Sequence, residues 1–152
     1  MSADELLSAL GEAAGEEGAL VVIRRGPDGA SATLGGPAKL YAGAPGGAPA
    51  GAVHVPAFGG TAVRDVTGCG NAFCGGFLAG LAGVPGLHGA PGIPGPGGRA
   101  EALRYALAWG HVSASFMAEA EGVPGRRPEE YWEDALARFG ALAGAGGGTG
   151  LP

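Results

Sequence analysis

The chain has 152 residues, with 34 Gly, 12 Pro, two Cys and a formal net charge of −5. Its nine Lys and Arg are scattered, which leaves no electrostatic footprint for nucleic acid or an anionic membrane, and no apolar run approaches the ~18 residues of a membrane span. Two Cys cannot build the disulfide framework of a secreted domain, so the expected setting is reducing and intracellular, cytoplasmic by default.

The first residues, Met1-Ser2-Ala3-Asp4-Glu5, are acidic and lead into no continuous apolar stretch, unlike a signal or transit peptide. Leu6, Leu7, Leu10, Ala13 and Ala14 fall on one face of a short helix over 3–15. Ala19-Leu20-Val21-Val22-Ile23 is a short β-branched run between glycines and reads as a buried strand. The turn Gly26-Pro27-Asp28-Gly29 follows, and Ala30 to Leu34 returns as the second arm of a β-hairpin. Residues 35–51 are rich in Gly, Ala and Pro and read as a surface loop.

Val53-His54-Val55-Pro56-Ala57-Phe58 alternates at period two, with Pro56 marking a strand edge or end. A glycine-rich turn at 68–70 opens a helix through 82. Gly86 to Gly98 runs through four collagen-like triplets, too few to hold a triple helix, and reads as a flexible insertion. Residues 99–120 lack Pro and carry Leu103, Leu107, Gly110, Ala114 and Met117 at helical spacing. Pro128-Glu129-Glu130 begins a last helix, with Pro and acids where an N-terminus favours them. Its expected apolar face is Trp132, Leu136 and Phe139, and the tail 140–152 is expected to be disordered. The hydrophobic fraction of 46% includes 31 Ala, so the core is modest.

The chemistry concentrates in Asp65-Val66-Thr67-Gly68-Cys69-Gly70-Asn71-Ala72-Phe73-Cys74-Gly75-Gly76. Glycines at 68 and 70 turn the chain sharply and leave backbone N–H groups pointing outward. A helix starting directly afterwards adds the positive end of its dipole, which makes an anion site. Gly75 and Gly76 cost helix propensity, and close packing against another element would explain them. A plain strand-to-helix turn with packing glycines is the simpler alternative for the whole stretch.

The surrounding residues resemble the second signature of the pfkB (ribokinase-like) family of carbohydrate kinases. Ala19 to Ala30 resembles the family's strand and Gly-x-x-Gly-Ala turn, and Val53 to Phe58 its His-Val-Pro-Ala-Phe strand. Glu101 to Phe116 resembles a late Ala-rich helix, and Glu121-Gly122-Val123-Pro124 the turn after it. Together they span roughly residues 15–139 in the family's order. Asn71 and the Ser113-Ala114-Ser115-Phe116 segment are most similar to the Mak32-like branch.

The resemblance implies an α/β fold, the C-terminal portion of a three-layer ribokinase-like domain over residues 1–139, with the N-terminal half of the family fold absent. It implies ATP with Mg2+, and transfer of the γ-phosphate to a sugar or other alcohol. Gly68, Cys69 and Gly70 would form the anion hole, and Gly26 and Gly29 the turn beside the nucleotide. Asp65 would lie near a monovalent-cation site, and Asn71 falls at the position of the general-base Asp.

Three departures stand out. Asn71 lacks basicity, Arg24 replaces a common Thr and Leu107 a frequent polar adenine contact, and the sugar-binding half is not in this chain. The alternatives are therefore a catalytically weak nucleotide-binding module, or a fragment that needs another chain or a second copy of itself.

The remaining reactive residues read as structural. Cys69 and Cys74 lack zinc-ligand spacing and have no His nearby, so no metal site is expected. His54, His88 and His111 are scattered and read as structural or surface groups. Trp109 and Trp132 read as core or interface, and the acids Glu119, Glu121, Glu129, Glu130, Glu133 and Asp134 as a solvated face.

Overall fold

The computed structural model describes residues 1–13, 20–34, 52–82 and 99–144. Helix α1 spans Ala3–Ala13, strand β1 Leu20–Arg24, β2 Ala30–Leu34 and β3 Ala52–Val55. Helices α2 (Cys69–Ala82), α3 (Arg99–Ala118) and α4 (Pro128–Gly144) follow. The described strands form one antiparallel sheet in the order β1-β2-β3. Helix α1 packs against β1 and β2, α3 against β2 and β3, and α2 and α4 both against α3. This is an α/β fold, as expected of part of a ribokinase-like domain. The loop expected at 35–51 and the insertion at 86–98 lie outside the described residues.

The hairpin forms where the turn chemistry placed it. Gly26 (φ +58°) and Gly29 (φ +94°) bracket a 3-10 turn carrying Pro27, and both take the left-handed backbone that glycine tolerates best. A side chain at Gly29 would overlap Val55 O and sit 2.7 Å from Pro56 Cα, so glycine also lets the turn close onto the end of β3. The register sets Val22 beside Ala32 and Val53, and Arg24 beside Ala30 and Val55. Side chains alternate across a strand, so these residues share one face, the face that meets the core. Ile23, Ser31 and His54 share the other. Strand β1 is half-buried rather than buried, because it pairs on one side only among the described residues.

Helices α2 and α3 meet through small residues. An ideal Cβ at Gly76 would overlap Ser113 Oγ and lie 2.5 Å from Trp109 O, and one at Gly80 would lie 3.0 Å from Ala106 Cα. Across the same seam Gly110 faces the ring of Phe73. Packing thus accounts for Gly76. Gly75 is exposed, and a methyl group there would meet nothing within 4 Å. Leu107 and Val112 of α3 are fully buried, each worth roughly 1.5–3 kcal/mol of transfer free energy.

Helix α4 corrects two expectations. Its buried face is Ala135, Phe139 and Leu142, while Leu136 is half-buried and Trp132 stays 37% exposed, stacked on Trp109. Ala135 is small enough to let α4 approach α3, and the larger Trp132 is left at the rim. The helix also continues through Gly144, so the tail expected from residue 140 is helical for its first five positions, and 145–152 lie outside the described residues. The acidic face is corrected at one position. Glu119 accepts from Arg138 Nη2 at 2.8 Å, and Arg138 Nη1 also donates to Ser115 Oγ at 2.8 Å. The Arg138 guanidinium lies over Phe116 (4.1 Å) and Phe58 (5.1 Å), which ties α4 to α3 and to the segment after β3.

Candidate functional site

The site begins at the end of α3. Ala118 O accepts from the amides of Arg64 (2.8 Å) and Asp65 (3.1 Å), anchoring the approach to α2. Asp65 Oδ1 then accepts from the Thr67 amide at 2.8 Å, an Asx turn. Those hydrogen bonds from Thr67 hold the Asp65 carboxyl below its ordinary pKa. Gly68 follows at φ +82°, and α2 starts at once. Asp65 thus shapes the turn through Oδ1. Among the described residues, no three His, Cys, Asp or Glu side chains gather as a metal would need.

The first helical hydrogen bond runs from the Ala72 amide to Gly68 O at 2.9 Å. The amides before it are the usual orphans of a helix start. One of them, on Cys69, instead donates to Val66 O at 3.2 Å. The first-turn amides of Gly70 and Asn71 are left as the donors facing away from the helix. Burial, and secondarily the charge of Asp65, push the Cys69 thiol up, so it stays neutral and unreactive at ordinary pH.

The hairpin turn and the start of α2 border one cleft of about 1010 Å³. Arg24, Gly26 and Gly29 line it on the sheet side, and Cys69 and Gly70 on the helix side. Phe58, Phe73, His111 and Ser115 are among its other wall residues. Gly26, Gly29, Cys69 and Gly70, expected from sequence to share a site, are thus brought together. Gly68 and Asp65 do not line the cleft, and Asn71 is exposed in the first turn of α2 without lining it. Leu107 is sealed in the core and does not line this cleft.

A family model, pfkB family carbohydrate kinase, matches residues 2–129. The chain belongs to that family. The match is made to the family as a whole and not to its Mak32-like branch. No curated protein and no solved structure gives a significant match. A pfkB-family domain points to phosphotransfer of the sugar-kinase type, with nucleotide and sugar as substrates. Among the described residues, no helix is long and apolar enough to cross a membrane.

Two cleft residues are not singled out as site residues by the sequence. Arg24 stands out there only as a departure from the family, yet strand alternation puts it on the face toward α2. Its guanidinium lies against Gly70, 5.9 Å from the centroid of the Phe73 ring. His111 sits four residues after Leu107, a spacing that already puts it on the buried face of α3. Its Nε2–H donates to Val55 O at 3.1 Å, and its ring meets Phe73 edge-on at 5.0 Å. Burial lowers its pKa to about 4, so it is a neutral wall of the cleft.

Proposed function

We propose that this chain binds ATP in the cleft and supports transfer of its γ-phosphoryl group to an alcohol, as a sugar kinase does. The observation that carries the reading is the convergence of the Gly26–Gly29 turn and the first turn of α2 on one cleft, in a chain of this family. The donor set suits a phosphate: backbone amides at a helix start, with no side chain at Gly70 to hold an anion off. Bound ATP, with its Mg2+, supplies the phosphoryl group. The residues of this chain bind and orient it. In such reactions positioning and charge stabilisation do most of the catalytic work.

Asn71 favours a second reading, a nucleotide-binding module with weak transfer. A neutral amide orients a hydroxyl but takes no proton, and a general base typically contributes 10²–10⁴-fold. Asn71→Asp decides between the two. Phosphate transfer from labelled ATP to a panel of sugars and polyols is measured for both forms, each joined to a sugar-binding half from another member of the family, beside ATP affinity. The kinase reading expects the variant to be at least tenfold faster. ATP bound equally by both forms, with transfer at background in each, leaves the binding module.

A further inference from the structure

Five polar side chains line the cleft among the described residues, and four of them have their donors committed within the chain. Thr61 Oγ1 donates to Phe58 O at 3.0 Å, Ser115 Oγ to Val112 O at 2.7 Å and Cys69 Sγ to Asp65 O at 3.8 Å. His111 Nε2–H donates to Val55 O. Arg24, the fifth, is exposed. The acceptors divide differently. Ser115 Oγ is filled by Arg138 Nη1, and Thr61 is only half-buried. His111 is 6% exposed and keeps one ring nitrogen in reserve. A carbonyl can only accept, so Nε2 carries the proton of the neutral ring and Nδ1 bears a lone pair. Among the described residues nothing donates to Nδ1, and the atom is not fully enclosed. The cleft is the open space that His111 borders.

An acceptor in so buried a place is costly to leave unpaired. The walls beside it are apolar, with Phe58, Phe73 and Ala114. The bond to Val55 O and the edge-on contact with Phe73 fix the ring. Burial holds its pKa at about 4, so Nδ1 stays an acceptor at ordinary pH. We infer that His111 is a specificity-determining residue of this cleft, its Nδ1 accepting a hydrogen bond from an N–H or O–H of the bound nucleoside. The inference rests on the nucleotide reading above and adds to it the polarity of the selection. The donor is the amino group of the base or a ribose hydroxyl, and a nucleotide lacking it leaves Nδ1 buried and unpaired.

The test is calorimetric titration of the full chain with the Mg2+ salts of ATP and three analogues, each lacking one donor. These are purine riboside triphosphate, without the amino group, 2′-deoxy-ATP and 3′-deoxy-ATP. Wild type should bind one of the three about 5–100-fold more weakly than ATP, because a site built around a hydrogen bond rejects the ligand that cannot make it. In His111→Phe that analogue and ATP should bind within twofold of each other, whereas a merely structural role would weaken all four ligands alike. His111→Gln keeps an amide donor for Val55 O and an amide oxygen for the ligand, so it should restore part of the discrimination. A wild type that binds all four ligands within twofold overturns the inference, whether or not His111→Phe folds. A preference that persists unchanged in His111→Phe also overturns it. In both cases the nucleotide reading stands. A wild type that binds no ATP overturns both.

Discussion

Gly75 and Gly76 are adjacent in α2, and replacing each with Ala moves stability in opposite directions. The intrinsic effect is common to both: Gly→Ala in a helix interior gains about 1 kcal/mol. At Gly75 that gain appears in full, because nothing lies within 4 Å of the new methyl group. At Gly76 the methyl group would overlap Ser113 Oγ, lie 2.5 Å from Trp109 O and lie 2.8 Å from Ser113 Cβ. Ser113 has some freedom to turn away, but Trp109 O is backbone, so α2 must shift away from α3. Overpacking of this kind costs about 1–3 kcal/mol. The net result is that Gly76→Ala is about 0–2 kcal/mol less stable than wild type, and about 1–3 kcal/mol less stable than Gly75→Ala. Urea unfolding followed by circular dichroism resolves the difference, and melting temperatures follow at about 2–4 °C per kcal/mol. Adding Ser113→Ala to Gly76→Ala recovers part of the loss and not all, since the Trp109 carbonyl remains. The shift also carries the first turn of α2 away from the hairpin, so ATP affinity falls in Gly76→Ala and holds in Gly75→Ala. A Gly76→Ala protein as stable as Gly75→Ala would refute the close helix contact and the placement of Gly70 that depends on it.

His111 gives a pH signature whose sign follows from its burial. Its pKa is about 4 in the folded chain against an ordinary 6.5, so the unfolded chain takes up the proton first as pH falls. Its contribution to stability is level above pH 7, drops between about 6.5 and 4 by up to about 3 kcal/mol, and is level again below. Urea midpoints at pH 7.5, 5.5 and 4.5 reveal the drop, and His111→Gln flattens it; parallel profiles for the two proteins would sink the assignment. Asp65 works with the same sign, at lower pH. Its pKa is lowered by Thr67, so its contribution is present above the ordinary carboxylate pKa and is lost as pH falls through the folded value. Asp65→Ala is expected to lower both the melting temperature and ATP affinity. Asp65→Asn should do so less, because its amide oxygen still accepts from the Thr67 amide, and equal effects of the two would argue against the Asx turn.

Local chemistry makes the hairpin and the start of α2 readable from sequence. Gly26-Pro27-Asp28-Gly29 needs only its own backbone preferences, and β2 follows it from Ala30 to Leu34 as expected. The long apolar spacing of α3 is equally plain. Closeness between elements is not. A helical pattern shows which residues are apolar, but not which are small enough to sit at the point of contact. Hence the pattern puts Trp132 in the face of α4 that Ala135 occupies, and gives Gly75 a packing role that belongs to Gly76 alone.

The same limit hides Arg24. Nothing in the order Arg24-Arg25 distinguishes the two side chains until the strand register is known. The register sends Arg24 to the core face with Ala30 and Val55, and the polar cluster of Ser31 and His54 takes Arg25 on the other. Which arginine meets the helix start is therefore decided by strand pairing. How near it comes is decided by three glycines, 76, 80 and 110, whose missing side chains set the distance of α2 from α3. The charge at the site is thus positioned by residues that carry none, which is why reading the signature alone locates the helix start and leaves its counterpart on the sheet unassigned.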